Sequence, residues 1–135
     1  MANILDDDML DVQINNKCSF TNIKKAADFF VNNENKFSVL NLNIRSLKKN
    51  YDSLLIYLRQ IKTNFDVIVL TETWLNDNES DLYLIPGYCF SAINRLNKRG
   101  GGIRIYYKEC YKCNFLTSSV SLTIEYLFIS LSGKI

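Results

Sequence analysis

Residues 37–75 read FSVLNLNIRSLKKNYDSLLIYLRQIKTNFDVIVLTETWL, and the hydrophobic pattern of this stretch decides the fold. At either end stands a short, β-prone apolar run, FSVLNLNI (37–44) and DVIVLT (66–71), continuous as in strands covered on both faces. Between them Leu47, Tyr51, Leu54, Leu55, Leu58 and Ile61 recur at helical spacing, which predicts a helix over 46–63 with one apolar and one charged face, capped by Ser46. Strand, helix and strand make a βαβ unit with parallel strands and a right-handed crossover. The expected fold class is α/β.

Upstream, Ile23, Ala26, Ala27, Phe30 and Val31 predict a short amphipathic helix from Thr21, its cap, to about Asn32, ended by the run NNENK. Residues 1–20 are acidic and Asn-rich without periodicity, so 1–36 reads as a leader with a short helix and 37–135 as the folded region. Downstream, IPGYCFSAIN from residue 85 is a turn and a strand, followed by the loop RLNKRGGG and the strand GIRIYYK, a hairpin with glycines where the backbone turns tightly. SLTIEYLFISLSGKI (121–135) supplies one more strand, and the later strands are expected to extend the sheet antiparallel.

The chain has 135 residues, 47% hydrophobic and 13% aromatic, enough for one domain with a packed core. Sixteen Lys and Arg against 14 Asp and Glu leave a net charge of +2, too balanced to mark a nucleic-acid binder by bulk charge. There is no histidine, which excludes any Ser-His or Cys-His machinery carried by this chain alone. The first sixteen residues hold four aspartates and no base, unlike a secretory signal, and no apolar run approaches the roughly 20 residues of a membrane helix. The expected location is intracellular, nuclear or cytoplasmic, with no membrane partner, and the four cysteines are expected as free thiols.

In a parallel βαβ unit the carboxyl ends of neighbouring strands converge on a crevice. Asn43 closes the first strand and Glu72 directly follows the second. A carboxylate beside a carboxamide is the start of a Mg²⁺ site, since that hard cation takes oxygen ligands, water and substrate phosphate. The bland alternative is that Asn43 ends a strand and Glu72 or Thr73 caps the following loop.

LNLNIRSL (40–47), the amphipathic helix, DVIVLTETWL (66–75), PGY (86–88) and the basic loop ending KRGGG (98–102) before an aromatic strand together resemble the endonuclease/exonuclease/phosphatase superfamily. The Asn-Ile-Arg-Ser-Leu and Thr-Glu-Thr-Trp-Leu forms are most similar to the endonuclease domain of non-LTR (LINE-type) retrotransposon proteins. The resemblance implies a deoxyribonuclease I-like two-sheet α/β sandwich and Mg²⁺-assisted, in-line attack of water on a DNA phosphodiester. It places Asn43 at the family's active-site asparagine and Glu72 at its metal-binding glutamate. The family's later machinery, an aspartate and asparagine in a GDFN-like turn and an aspartate-histidine pair, has no counterpart here, so the expectation is an N-terminal half domain, inactive alone. The expected partners are the DNA backbone and either the missing half or a second copy, and an uncovered apolar sheet face such as that of VIVL (67–70) or YLFISL (126–131) is expected to favour self-association. The alternatives are a non-enzymatic remnant that binds nucleic acid weakly, or a superfamily member acting on another phosphodiester or a phosphoinositide.

Segment 95–113 carries Arg95, Lys98, Arg99, Arg104, Lys108 and Lys112 against Glu109, whereas 66–81 holds five acids and no base. A basic loop beside an acidic end fits a DNA-cleaving cleft, with Arg95, Lys98 and Arg99 as phosphate contacts, although a solvated hairpin tip has the same pattern. Alternation in GIRIYYK puts Arg104 opposite Ile103 and Ile105, so it need not face the cleft. Cys110 and Cys113 form a lone CxxC without the four ligands of a zinc site, and Trp74 is expected in the core.

Overall fold

The βαβ unit forms as the pattern requires. In the computed structural model, which describes residues 23–32, 36–95, 100–121 and 124–134, strand β1 (Val39–Asn43), helix α2 (Leu47–Ile61) and strand β2 (Val67–Thr71) follow a short helix α1 (Ile23–Val31). β1 and β2 pair in parallel from Val39↔Val67 to Asn43↔Thr71. Ser46 caps α2, its hydroxyl accepting from the Lys49 N–H, and Lys62 ends the helix in the left-handed region. The leader at 1–20 and the Thr21 cap lie outside the described residues.

One face of the sheet carries the core, so β1 is not covered on both faces as its apolar run predicts: Val39, Asn41 and Asn43 are exposed. Leu40, Leu42, Ile68 and Leu70 point to the helical side, where Leu47, Leu54, Tyr57 and Ile61 of α2 cover them. Helix α1 adds Ala26 and Phe30, the latter edge-on to Phe65 with ring centroids 5.0 Å apart. Removing side chains of this size from water contributes about 1.5–3 kcal/mol each.

Two later strands extend the sheet antiparallel. β3 (Tyr88–Ile93) and β4 (Ile103–Lys108) form the expected hairpin, and β4, not β3, lies against β2, giving the order β1-β2-β4-β3. Arg104 is fully buried on the helical side, donating to the Leu82 and Ser80 carbonyls with its guanidinium 4.2 Å from the Phe90 ring centre. It therefore pins the 80–82 segment rather than adding to a basic surface.

The last strands depart from expectation. Residues 111–120, assigned no element from sequence, form the ten-residue strand β5 (Tyr111–Val120), which pairs with β6 (Glu125–Lys134) in a separate two-stranded sheet. Thus the 121–135 strand does not extend the first sheet. Asp66 ties the two sheets: its carboxylate accepts from Ser38 N–H at 2.9 Å, from Tyr111 Oη at 2.7 Å and from Lys108 Nζ at 3.2 Å. Among the described residues no helix is long and apolar enough to cross a membrane.

Candidate functional site

The parallel ladder does not stop at the strand ends. Ile44 donates to the Thr71 carbonyl, Ser46 to Glu72 and Leu47 to Thr73, each at 2.9 Å, so the β1–α2 connection is laced to the segment after β2. On its other side that segment meets the glycine loop, with Trp74 N–H donating to the Gly101 carbonyl at 2.9 Å. Such lacing holds unfavourable backbone: Arg45, Ser46, Glu72 and Trp74 all have positive φ, at 45°, 84°, 56° and 55°. A non-glycine residue there costs about 1 kcal/mol or more, and such residues persist only where their surroundings fix them.

Both predicted site residues lie at this end. Asn43 is exposed at the end of β1, in register with Thr71 and hence beside the start of the Glu72 segment. Glu72 is half-buried, and its Oε2 accepts from the Trp74 indole N–H at 2.7 Å and from the Gly101 N–H at 3.0 Å. Those two bonds and the nearby Arg95 charge, acting against partial burial, hold the Glu72 carboxyl below the usual carboxylate range. Glu72 is therefore an anion at neutral pH, with Oε1 left outside both bonds.

Close approach explains the glycines. A Cβ on Gly102, whose φ is +89°, would collide with the Thr73 hydroxyl, and one on Gly101 would collide with the Glu125 carboxylate and Arg95. Glu125, at the start of β6, accepts from the Gly102 N–H at 2.9 Å and from Arg95 Nε. Two consecutive amides of one loop thus hold two carboxylates, Glu72 and Glu125. The sequence reading missed Glu125 because 23 residues separate it from Gly102 and no local pattern links them.

The basic residues are reassigned in part. Arg95 faces Glu125, so its charge is answered within the chain, and Lys108 pairs with Asp66. With Arg104 in the core, Lys112 is the exposed base of 100–113, while Lys98 and Arg99 lie outside the described residues. Trp74, expected in the core, is instead 38% exposed with its indole on Glu72. Cys89, Cys110 and Cys113 are free thiols, Cys113 lying 3.9 Å from the Ser91 hydroxyl.

The arrangement is an ionised carboxylate at the convergent ends of two parallel strands, with Asn43 at the neighbouring strand end and an indole on the carboxylate. Neither protein-family models nor curated proteins yield a match to this chain.

Proposed function

We propose that this chain carries the N-terminal part of a Mg²⁺-dependent phosphodiester-cleaving domain, a DNA endonuclease of the LINE-type branch that its motifs resemble, built on the deoxyribonuclease I-like two-sheet sandwich. The observation that carries the reading is the Glu72 carboxylate, kept ionised at the β1/β2 strand ends by Trp74 and Gly101 although its own backbone is left-handed. A residue that merely ended a strand would need none of this.

The residues fit the metal in part. Glu72 Oε1 and the exposed Asn43 carboxamide are hard oxygen donors on neighbouring strand ends, as Mg²⁺ prefers. They are fewer than its six ligands, so water and substrate phosphate complete the shell. When bound, the ion supplies charge stabilisation at the phosphate and the leaving oxygen. Glu72 would hold it, Asn43 would orient a neighbouring group or the phosphate, and Lys98 and Arg99 would neutralise the flanking DNA backbone, with Arg95 engaged by Glu125.

Residues 1–135 are inactive alone on this reading. One carboxylate holds Mg²⁺ weakly, and without histidine the family's acid-base help, worth about 10²–10⁴ in rate, is missing. The test is nicking of supercoiled plasmid in Mg²⁺ beside Glu72→Ala, together with reading of the coding sequence that follows residue 135 in the genome. Expected are no nicking above the variant and downstream aspartate-asparagine and aspartate-histidine motifs. Glu72-dependent nicking overturns the half-site, and downstream sequence without those motifs overturns the nuclease.

A further inference from the structure

Glu125 takes no part in the proposed cleavage, yet both its oxygens are engaged at the edge of the Glu72 site. Oε2 accepts from the Gly102 N–H at 2.9 Å and Oε1 from Arg95 Nε, and the side chain is only 11% exposed, so Glu125 is closed to a ligand of its own. Glu72, held through Oε2 by the Gly101 N–H and the Trp74 indole, keeps Oε1 outside those bonds. Arg95 stands close to both carboxylates. A Cβ on Gly101 would lie 2.7 Å from Arg95 Nε, and the Gly101 nitrogen is 3.0 Å from Glu72 Oε2. With ordinary bond lengths those contacts put Arg95 Nε and Glu72 Oε2 no more than about 8 Å apart. The terminal guanidinium nitrogens extend beyond Nε, and the Arg95 charge already acts on the Glu72 carboxyl.

We propose that Glu125 is a positioning residue for the Glu72 site: by holding Arg95 it keeps the guanidinium off Glu72 and leaves that carboxylate open to a divalent cation. The inference rests on the metal reading of Glu72. Consecutive amides of the glycine loop set the two carboxylates side by side, Gly101 on Glu72 and Gly102 on Glu125, and Arg95 bonds the second. A guanidinium fork matches a carboxylate bidentately, and being tethered it competes at a high effective concentration. A cation held by few protein ligands and water loses to it. The Arg95 side chain is 30% exposed, so without Glu125 it becomes a partly buried charge lacking its ion-pair partner, and turning to Glu72 restores one. A Glu125 that only tied β6 to the glycine loop would need an acceptor for the Gly102 N–H and no negative charge.

Trp74 is the only tryptophan of the chain and donates to Glu72. Quenching of its fluorescence by Mn²⁺, a hard cation with the ligand preferences of Mg²⁺, therefore reads cation binding at the site. Glu72→Gln sets the background. Glu125→Gln keeps an oxygen for the Gly102 N–H but loses the charge. With circular dichroism matching the parent, it should weaken Mn²⁺ binding about tenfold, the loss expected when Arg95 occupies Glu72 in about nine molecules of ten. Arg95→Gln should change binding less than about threefold, because the parent already keeps Arg95 away and only a screened charge is removed. Glu125→Gln combined with Arg95→Gln should recover the parent affinity, which a purely structural role of Glu125 does not allow.

An unweakened Glu125→Gln, a double variant as weak as Glu125→Gln, or a gain of about tenfold on Arg95→Gln alone would each overturn the proposal. The last of these leaves Glu125 in place and so decides even where Glu125→Gln does not fold. Parent quenching no stronger than that of Glu72→Gln would instead overturn the metal reading, and this inference with it.

Discussion

Replacing Asp66 by alanine should cost about 3 kcal/mol of stability. The side chain receives Ser38 N–H and Oγ, Tyr111 Oη and Lys108 Nζ, partners drawn from the approach to β1, from β5 and from the end of β4. A hydrogen bond to a charged group contributes about 1.5–3 kcal/mol, and three independent partners would sum to more than the change removes, because bonds sharing one acceptor are not additive. Lys108 and Tyr111 are partly exposed and regain water when released, which lowers the loss further. At about 2 kcal/mol per molar urea, 3 kcal/mol lowers the unfolding midpoint by about 1.5 M. The sign with pH is fixed. Burial pushes the Asp66 carboxyl up, but the bonds from Tyr111, Ser38 and Lys108 outweigh it and hold the group below its ordinary value. A depressed carboxyl stabilises above its unfolded value of about 3.9 and loses that contribution as pH falls through the folded one. The gap between parent and Asp66→Ala should therefore stay constant near neutrality and narrow below about pH 4. A midpoint shift under about 0.3 M, about 0.6 kcal/mol at that slope, or a gap that widens in acid, would refute the reasoning.

Burial and the same contact push the Tyr111 hydroxyl up to about 12, so Asp66→Asn should bring it down when phenolate absorbance is titrated. Gly102→Ala should destabilise by about 2 kcal/mol or more, since φ is +89° and the buried Thr73 hydroxyl has no room to yield, and an unchanged thermal midpoint would count against that packing. Trp74→Phe should raise the Glu72 carboxyl toward the ordinary range by removing its largest stabilising bond; carboxyl-carbon NMR titration reads this, and an unmoved value would mean that the indole does not hold Glu72.

The elements legible in sequence are those whose burial is one-sided and local. β1, α2 and β2 could be read because Leu40, Leu42, Leu54, Ile61, Ile68 and Leu70 all face one core, and their spacing announces it. β5 could not, since from Asn114 to Thr117 it is exposed throughout, so neither alternation nor an apolar run marks it. Asn43 and Glu72 were readable from their places at strand ends, which is a property of βαβ geometry. Glu125 and the exposed indole of Trp74 were not, because both depend on where the glycine loop returns, a contact between distant segments. Arg104 is an intermediate case: alternation separated it from Ile103 and Ile105, but only the Leu82 and Ser80 carbonyls and the Phe90 ring explain a buried cation.

What separates a site from a strand end here is where the chain accepts unfavourable backbone. Of the six non-glycine residues at positive φ among the described residues, Arg45, Ser46, Glu72 and Trp74 lie in the two laced connections after β1 and β2. Asn or Gly would take the Glu72 conformation at lower cost, about 1 kcal/mol less in backbone terms. Glu at that position is instead held by an indole and a glycine amide, which keep the carboxylate ionised and aimed, and the glycine amide is in turn fixed by Glu125 through Gly102. Every link in that chain favours the charged form of one oxygen-donor group at the convergent strand ends. A strand cap would be satisfied by any hydrogen-bond acceptor there, whereas Glu72 is held as an anion in one pose by two donors from separate segments.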